Sequence, residues 1–266
     1  MAKKLAIKSY AKVNIFLKIA GKRDNYHELV SRFVRVKDLY DTVSFEPNNE
    51  TNEFNLIGDF GCETQQNTIY KAFLALRNNC PKIDAYFRVY NIKVEKNIPE
   101  CAGLGGGSSN AAAFLILANK VFDLYYSKER LARIGLKVGA DVPFFIYEYD
   151  SANVTGIGEK VERFDEKPLE IETFTPNIKC NTGQIFNTFR DKFYKEVSLN
   201  DAQNLLSKKS IDVLNELEIQ EANDLYQSAI EINSNLKQYA KKDWFFSGSG
   251  SSFFKIKDDK AVKNGS

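Results

Sequence analysis

Four glycines and two serines in the segment PECAGLGGGSSNAA (99–112) lie between a strand-like segment and an apolar, helix-like one. Glycine has no Cβ, so successive backbone N–H groups can converge on an anion, and a helix N-terminus adds unpaired N–H donors. Ser108 and Ser109 place hydroxyls at the helix start, where they can contact a phosphate or its metal. The segment therefore predicts a phosphate-binding loop. The alternative interpretation is a flexible turn with a serine cap. Such a turn needs fewer glycines, and each extra glycine costs roughly 0.5–1 kcal/mol in entropy.

The two common phosphate-loop motifs do not fit these residues. A Walker A loop needs a lysine directly after its last glycine, and none follows here. A dinucleotide-binding fingerprint needs GxGxxG; Gly103 and Gly105 fit it, but the third position is Ser108. The loop therefore belongs to another phosphate-binding class.

Alternation in KVNIFLKIA (12–20) predicts a strand that positions two polar side chains. Its apolar residues share one face, and Lys12 and Asn14 share the other. Further strands are predicted at RFVRVKD (32–38), DTVSFEP (41–47) and AYFRVYNIKVEKN (85–97). Helices are predicted at 67–79, from about Ser108 to Lys120, and from an N-cap at Ser127 to Gly139.

The texture of the chain changes after about Ser151. Short strands in NVTGIGEKVERF (153–164) lead to polar helices between 200 and 240, and the chain returns to strands in WFFSGSGSSFFKIK (244–257). We expect a domain boundary near Thr155. No Pro/Gly/Ser linker lies there, so the parts 1–155 and 156–266 are expected to pack against each other.

Composition and charge restrict the function classes. The chain has 266 residues, 43% hydrophobic and 27% charged, with a net charge of +2 and no basic stripe, so nucleic acid is not an expected partner. The N-terminus resembles neither a signal peptide nor a membrane span, which predicts a cytoplasmic protein with no membrane partner. One histidine and four well-separated cysteines predict free thiols and no zinc site. A monomer or a homodimer is expected.

PECAGLGGGSSNAA closely resembles the ATP-binding loop of the GHMP kinases, the galactokinase, homoserine, mevalonate and phosphomevalonate kinase superfamily. AKVNIFLKIAGKRDNYHEL (11–29), GADVPFF (139–145) and FFSGSGSSFF (245–254) resemble three further family segments in the same order. Cys101 and Ala102 stand where the family usually has glycine. The resemblance implies an α+β two-domain GHMP kinase fold. Its N-terminal ATP-binding domain (1–155) would be a ribosomal-S5-domain-2-like α/β domain with a left-handed βαβ crossover, and its C-terminal domain (156–266) a ferredoxin-like α+β domain.

The resemblance assigns catalytic roles to two charged residues. Phosphoryl transfer to an alcohol needs a triphosphate cradle, cationic charge and a base or orienting group. By resemblance Asp141 is the base and Lys12 its partner, whose ammonium favours the charged carboxylate and can lower the pKa of the substrate hydroxyl. Asn14 would contact the substrate or hold Lys12. The residues alone favour Asp141 as a helix N-cap before Pro143, and Lys12 and Asn14 as exposed strand residues.

The sequence most resembles family members that phosphorylate the 2-hydroxyl of a cytidine diphosphate sugar alcohol in the non-mevalonate (methylerythritol phosphate) isoprenoid pathway. By resemblance Tyr26 stacks on cytosine, His27 binds its edge, Phe186 forms the second face of the sandwich and Thr182 makes a polar contact. A lone histidine is usually structural, and Phe186 could be an ordinary core residue.

The remaining site residues also come from the resemblance. The ATP-phosphate loop comprises Pro99, Gly103, Leu104, Gly105, Gly106, Gly107, Ser108 and Ser109. The C-terminal glycine motif, Ser247, Gly248, Ser249 and Gly250, would close over the phosphates or the substrate diphosphate, although a tight hairpin explains it equally well. Asn67 and Lys96 are expected in the adenine pocket. ATP implies Mg²⁺, and because no carboxylate cluster is evident we expect no protein metal site beyond Ser108 or Ser109 helping the nucleotide hold it.

Two alternatives stay open at this stage. The chain could be another small-molecule kinase of the superfamily, of the homoserine or mevalonate type, whose substrates have no base to stack. It could instead be a nucleotide-binding regulator that kept the fold and lost the chemistry. Such regulators usually lose the catalytic aspartate or the glycine loop, and both are present here.

Overall fold

Two β-sheets and ten α-helices form the part of the chain described by a computed structural model, residues 5–23, 26–48, 53–194 and 199–257. The strands are β1 (Leu5–Arg23), β2 (Tyr26–Pro47), β3 (Leu56–Ile57), β4 (Tyr90–Glu95), β5 (Ser151–Gly156), β6 (Lys160–Arg163), β7 (Ile171–Phe174), β8 (Phe245–Phe246) and β9 (Phe253–Ile256). The helices are α1 (Thr68–Arg77), α2 (Ile83–Tyr86), α3 (Gly106–Val121), α4 (Lys128–Leu136), α5 (Val142–Tyr147), α6 (Thr182–Thr188), α7 (Leu199–Ser207), α8 (Ser210–Glu216), α9 (Ile219–Ala222) and α10 (Tyr226–Ile232).

The first sheet is built on the long antiparallel hairpin of β1 and β2. β2 pairs with β4 and β5 as well, which gives the order β3-β4-β2-β5-β6 with β1 also on β2. The segments predicted as strands at 32–38 and 41–47 are both strand, but they form one continuous strand, β2, rather than two. Tyr10 lies opposite Tyr40 and Ala11 opposite Val36, so the three residues between Val36 and Tyr40 are absorbed by a bulge. A bulge interrupts the alternation of the sequence without ending the pairing.

The predicted helices around the glycine loop are confirmed. α1 lies within the predicted 67–79 segment, and the Ser127 side chain accepts a hydrogen bond from Arg130 N at 3.3 Å, as an N-cap of α4 should. α3 begins at Gly106 rather than Ser108, so two of the loop glycines form its first turn. Its alanine-rich body is buried among α1, α5 and the first sheet.

The strand predicted at 85–97 is only partly correct. β4 occupies its second half, but Tyr86 ends the short helix α2. Ile83 and Phe87 lie four residues apart and are both fully buried. That spacing puts them on one face of a helical turn, so tertiary packing overrides the β-propensity of the tyrosine and phenylalanine.

The second sheet has the order β7-β9-β8 and is antiparallel, with α6 to α10 as the helices of this part of the chain. Arg32 on β2 links the first sheet to the chain around the end of α7, because its buried guanidinium donates to Leu206 O at 2.8 Å and Lys208 O at 3.2 Å. Burial lowers the pKa of Arg32 to about 10, and Glu166 opposes that shift, so the side chain stays charged at neutral pH.

The first sheet continues past the expected domain boundary. β5 and β6 form a hairpin within it, so the sheet extends from Leu5 to Arg163 before the chain enters the second sheet. The division into 1–155 and 156–266 stays a prediction. Over the described ranges, no helix is long and apolar enough to cross a membrane.

Candidate active site

A cleft of about 520 Å³ lies where β1, the start of α3, the turn before α5, the start of α6 and the loop between β8 and β9 meet. It brings together most of the predicted site residues: Lys12, Asn14, Asn67, Lys96, Pro99, Gly103, Leu104, Gly105, Gly106, Gly107, Ser108, Asp141, Thr182, Phe186, Gly248 and Ser249. Its size is in the range typical of small-molecule sites.

The glycine loop forms the wall of this cleft and is anchored to β1. Lys12 N donates to Leu104 O at 3.0 Å, and Ser109 N donates to Gly105 O at 2.8 Å as α3 begins. Gly105 has φ +71°, and a Cβ there would lie 2.9 Å from the Phe145 ring and 3.1 Å from Lys12 Cγ. Only glycine allows both this left-handed backbone and this close approach to Lys12. The first turn of α3 therefore presents its N–H groups beside the lysine.

Lys12 is buried and held by a hydrogen-bond network. The residue is 3% exposed, its Nζ donates to Asn14 Oδ1 at 2.6 Å, and it lies 4.5 Å from the centre of the Phe33 ring. Asn14 Nδ2 in turn donates to Ser31 Oγ at 3.0 Å. The alternative that Lys12 is an exposed strand residue is therefore wrong. The ammonium is a fixed charge at the floor of the cleft.

Asp141 directs its carboxylate at this ammonium. Its Oδ2 lies 3.4 Å from Lys12 Nζ, and its side chain is 31% exposed on the cleft side. Asp141 precedes α5, with Pro143 at the helix start, but its side chain accepts no hydrogen bond from the helix. Its backbone is helical, at φ −82° and ψ −14°, whereas a capping residue needs extended angles. The N-cap interpretation is therefore wrong, and the carboxylate remains available to a ligand.

The serine–glycine motif is both a hairpin and a wall of the site. β8 and β9 pair through Phe245–Phe254 and Phe246–Phe253, so the hairpin alternative is correct. The connecting turn packs on the glycine loop, because Ser247 Oγ donates to Gly103 O at 3.0 Å. Gly103 has φ +74°, and a Cβ on it would lie 2.0 Å from Ser247 O. The two glycine segments are therefore interlocked.

Comparisons with known proteins identify the family. Residues 67–149 match the model of the GHMP kinases N terminal domain. The chain is 50% identical over 260 residues to the 4-diphosphocytidyl-2-C-methyl-D-erythritol kinase of Sulfurimonas denitrificans, covering 96% of this chain and 98% of that one. It is 44% identical to the enzyme of the same name from Sulfurovum sp., over 95% and 99% of the two chains. The chain belongs to the 4-diphosphocytidyl-2-C-methyl-D-erythritol kinase family.

The fold of this kinase agrees with that assignment. It matches a crystal structure of 4-(cytidine 5'-diphospho)-2C-methyl-D-erythritol kinase with a TM-score of 0.74 and 26% identity, over 95% of this chain and 90% of that one. The expected GHMP kinase fold is therefore confirmed. β3 and β4 are the parallel pair of the described first sheet, and α1 and α2 connect them as a βαβ crossover unit.

The two serines at the start of α3 have different surroundings. Ser108 lines the cleft, whereas Ser109 is buried and accepts a hydrogen bond from Ser9 Oγ at 2.8 Å. The structure therefore does not bring the Ser109 hydroxyl to the cleft, because successive helical residues point about 100° apart. Within the described residues, no group of three or more His, Cys, Asp or Glu side chains is arranged to hold a metal ion.

The residues expected to bind cytidine are only partly described. Tyr26 and His27 begin β2, where their backbones pair with Arg23 and Lys22, but their side chains lie outside what the structure describes. Thr182 starts α6, and its hydroxyl lies 2.8 Å from Ser249 Oγ. Phe186, one turn later, is partly exposed and lines the cleft.

The residues expected at adenine lie beside the glycine loop. Asn67 caps α1, because its Oδ1 accepts from Ile69 N at 2.9 Å. Lys96 forms an ion pair with the buried Asp41 and also lines the cleft.

Ser247 and Gly250 shape the serine–glycine turn through a Gly250 N–Ser247 O hydrogen bond of 2.9 Å.

Sequence reasoning missed the supporting role of Asn223 and did not predict the backbone conformation of Cys101. Asn223 is 1% exposed, and its Nδ2 donates at 2.9 Å to both Phe246 O and Gly248 O, which holds the serine–glycine turn in place. An isolated asparagine between polar helices gives no sequence signal for this role. Cys101, where the family usually has glycine, has φ +53°, in the left-handed region that favours glycine. The departure is accommodated at the cleft edge, where Cys101 is exposed.

Proposed function

We propose that this kinase transfers the γ-phosphoryl group of ATP to the 2-hydroxyl of 4-diphosphocytidyl-2-C-methyl-D-erythritol, giving the 2-phosphate and ADP. This is a step of the non-mevalonate isoprenoid pathway. The observation that carries the mechanism is the Asp141 carboxylate, 3.4 Å from a buried Lys12 ammonium and beside the glycine loop. Homology to named kinases over nearly the whole chain supports the substrate.

Asp141 acts as the general base in this proposal. Its exposed oxygen faces the cleft, so a substrate hydroxyl can donate to it while Lys12 stays on the other side of the reacting oxygen. As the proton moves to Asp141, negative charge grows on that oxygen, and the fixed ammonium stabilises it. Asn14 and Phe33 hold Lys12, so little reorganisation is needed during the reaction. The substrate oxygen attacks the γ-phosphorus directly and in line, the bond from that phosphorus to the β–γ bridging oxygen breaks, and ADP leaves.

The ATP phosphates fit the loop of Gly103 to Ser108. The first turn of α3 offers unpaired N–H groups, and the absence of side chains on its glycines lets phosphate oxygens approach them. Mg²⁺, when bound, neutralises charge on the transferring phosphate. We propose that the nucleotide holds it mainly, with the Ser108 hydroxyl as the protein contact, since Ser109 is committed to Ser9.

Cytidine recognition is the part of the proposal that depends most on family resemblance. Phe186 on the cleft surface supplies one face for a pyrimidine, and Thr182 is a polar contact near the serine–glycine turn. We propose that Tyr26 stacks on the other face and His27 binds the base edge. Asn67 and Lys96, which both line the cleft, remain the proposed adenine contacts. The cytoplasmic location and the monomeric or homodimeric state stay predictions.

The test is a coupled ADP-release assay with ATP and Mg²⁺. Turnover is compared for 4-diphosphocytidyl-2-C-methyl-D-erythritol, homoserine and mevalonate, with Asp141→Asn as the control variant. We expect turnover with the cytidine substrate alone, and a loss of about 10²–10⁴-fold in kcat in the variant with ATP binding retained. Turnover with another alcohol would overturn the cytidine assignment. A variant with near-normal kcat would overturn Asp141 as the base. ATP binding without any turnover would favour the regulator.

A further inference from the structure

A serine outside the cleft continues the hydrogen-bond network that holds Lys12. Ser31 on β2 is 0% exposed and is not one of the residues that line the cleft. Its Oγ accepts a hydrogen bond from Asn14 Nδ2 at 3.0 Å and donates one to Phe16 O. Asn14 Oδ1 in turn accepts from Lys12 Nζ at 2.6 Å. The four groups therefore form one chain of hydrogen bonds, from a backbone carbonyl to the ammonium.

The carbonyl end of this chain determines its direction. A carbonyl oxygen can only accept, so the single hydroxyl proton of Ser31 is committed to Phe16 O. Toward Asn14 the hydroxyl can then only accept, which requires the NH₂ end of the amide. The oxygen end of the amide must therefore face Lys12. If the amide were reversed, two donors would meet at the ammonium and two acceptors would meet at Ser31.

Packing alone does not select the orientation of this amide. Asn14 is 2% exposed, and a Cβ on Gly248 would lie 3.3 Å from its Oδ1, so the side chain has little room to move away. It can still reverse by rotation about χ2, because the two ends of an amide have nearly the same size and shape. The Ser31 hydroxyl distinguishes the two ends, since it accepts from one of them and has no proton left for the other.

We propose that Ser31 is a positioning residue for catalysis. Its hydroxyl, oriented by Phe16 O, fixes the Asn14 amide so that the amide oxygen holds the Lys12 ammonium beside Asp141. The inference rests on the proposed function in taking Lys12 as the charge that stabilises the reacting oxygen. Without the hydroxyl, the amide populates both orientations, and in the reversed one its N–H groups repel the ammonium. We expect slower chemistry with unchanged nucleotide binding.

Two variants of residue 31 isolate the hydroxyl. Ser31→Thr and Ser31→Val enlarge the buried side chain to the same shape, and both residues suit a strand, so they differ only in the hydroxyl. We expect Ser31→Thr to keep kcat within about threefold of wild type. Ser31→Val should have a kcat about tenfold lower than Ser31→Thr, the effect of one buried hydrogen bond, with KM for ATP changed less than about twofold in both. Ser31→Ala, which adds no atoms, should behave like Ser31→Val.

A control and a double-variant comparison separate this role from a general effect on the strand. Ser44 also lies on β2, is 2% exposed and does not line the cleft, so Ser44→Ala should leave kcat unchanged. In an Asn14→Leu background no amide remains to be oriented, so adding Ser31→Ala should lower kcat no further. An equal fall in kcat in both backgrounds would show that Ser31 does not act through Asn14.

A measurement without turnover tests the orientation directly. In a chain labelled with ¹⁵N-asparagine, the side-chain NMR signals of Asn14 are identified by their absence in Asn14→Leu. Ser31→Val should shift these signals and speed the exchange of the amide protons with solvent, whereas Ser31→Thr and Ser44→Ala should leave them in place. Unchanged signals in Ser31→Val would overturn the proposal.

The other outcomes are equally specific. Equal kcat values in Ser31→Thr and Ser31→Val would show that residue 31 acts by packing and not by its hydroxyl. A raised KM for the alcohol with a normal kcat would place the effect on substrate binding. If Ser31→Val fails to fold, Ser31→Ala decides by the same two measurements. A wild-type chain without turnover would refute the proposed function, and the NMR comparison would still decide whether Ser31 fixes the amide.

Discussion

Replacing Lys12 by methionine separates catalysis from stability. Lys12 is 3% exposed, so its methylenes are core atoms, and methionine preserves most of their packing. The substitution removes the ammonium that lies 2.6 Å from Asn14 Oδ1 and 3.4 Å from Asp141 Oδ2. We expect a large loss of kcat with a small change in the free energy of unfolding.

The loss of kcat follows from the charge that Lys12 faces. A substrate oxygen hydrogen-bonded to Asp141 comes within about 4 Å of Lys12 Nζ, where a full negative charge is stabilised by about 4 kcal/mol at an effective dielectric constant of about 20. If half a charge develops in the transition state, the gain is about 2 kcal/mol. The expected fall in kcat is therefore about 30-fold to about 900-fold.

The change in stability is small because two effects oppose each other. The hydrogen bond from the ammonium to Asn14 is lost, which removes roughly 1.5–3 kcal/mol. The folded state no longer buries an ammonium, whose desolvation costs several kcal/mol. Asp141 loses little, because its side chain is 31% exposed and water can replace Lys12. The net change in the free energy of unfolding should stay within about 2 kcal/mol.

Lys18 on the same strand is the matched control. It pairs with Asp224, whose second oxygen accepts from Ile19 N at 2.8 Å, and both charged side chains are mostly buried. Lys18→Met leaves that carboxylate without its cation, so we expect a loss of roughly 1–3 kcal/mol in stability and a normal kcat. The two lysine variants should therefore show opposite patterns.

The assay combines urea unfolding with steady-state ADP release for both variants. Lys12→Met should unfold near the wild-type midpoint and lose turnover, and Lys18→Met should show the reverse. The reasoning is refuted if Lys12→Met keeps kcat, or if it raises only KM, because the ammonium would then contribute to binding without stabilising the transition state.

The other predictions concern the loops around the cleft. Gly103→Ala should lower stability by roughly 2 kcal/mol or more, since φ is +74° and the new Cβ would lie 2.0 Å from Ser247 O; a normal melting temperature and ATP affinity would contradict this. Asn223→Leu should cost about 2–5 kcal/mol in urea unfolding, because two carbonyls and Leu225 N lose their buried partner; an unchanged midpoint would mean that water replaces the amide. Burial raises the pKa of Cys180 to about 11, so the folded state holds this proton more tightly than the unfolded state does. The resulting stabilisation is present below pH about 9 and lost as pH rises toward 11. At pH 8, alkylation followed by peptide mass spectrometry should modify exposed Cys101 and spare Cys180, and ATP should slow the reaction at Cys101; labelling of Cys180 at a similar rate would contradict this burial.

Local patterns predicted most of the elements that carry the site. The alternation around Lys12 and Asn14 correctly placed both side chains on one strand face, because that relation depends only on the period of two. The same reasoning split β2 in two and made Tyr86 a strand residue. Both errors have one cause, since a bulge and a buried helical turn are decided by partners distant in the sequence.

Most of the site residues that the resemblance to the GHMP kinases predicted line the cleft, but the resemblance did not indicate what holds them in place. Asp141 could have capped α5, and only the path of the backbone shows that its carboxylate turns to Lys12. Asn223 and Asp41 gave no sequence signal, although each fixes a loop of the site through two or more hydrogen bonds. Such supporting residues are recognisable only when their burial and partners are known.

The sequence by itself predicted a phosphate loop, and it determined a strand that carries Lys12 and Asn14 and the four ordered segments of a GHMP kinase. These properties depend on residue type and short spacing, which propensity and periodicity report directly. The tertiary structure alone decided that Lys12 is buried rather than solvated, that Asp141 faces it rather than a helix end, and that Ser108 rather than Ser109 reaches the cleft. Each of these depends on contacts between residues far apart in the chain, where packing and the pairing of buried polar groups determine which local conformation is stable.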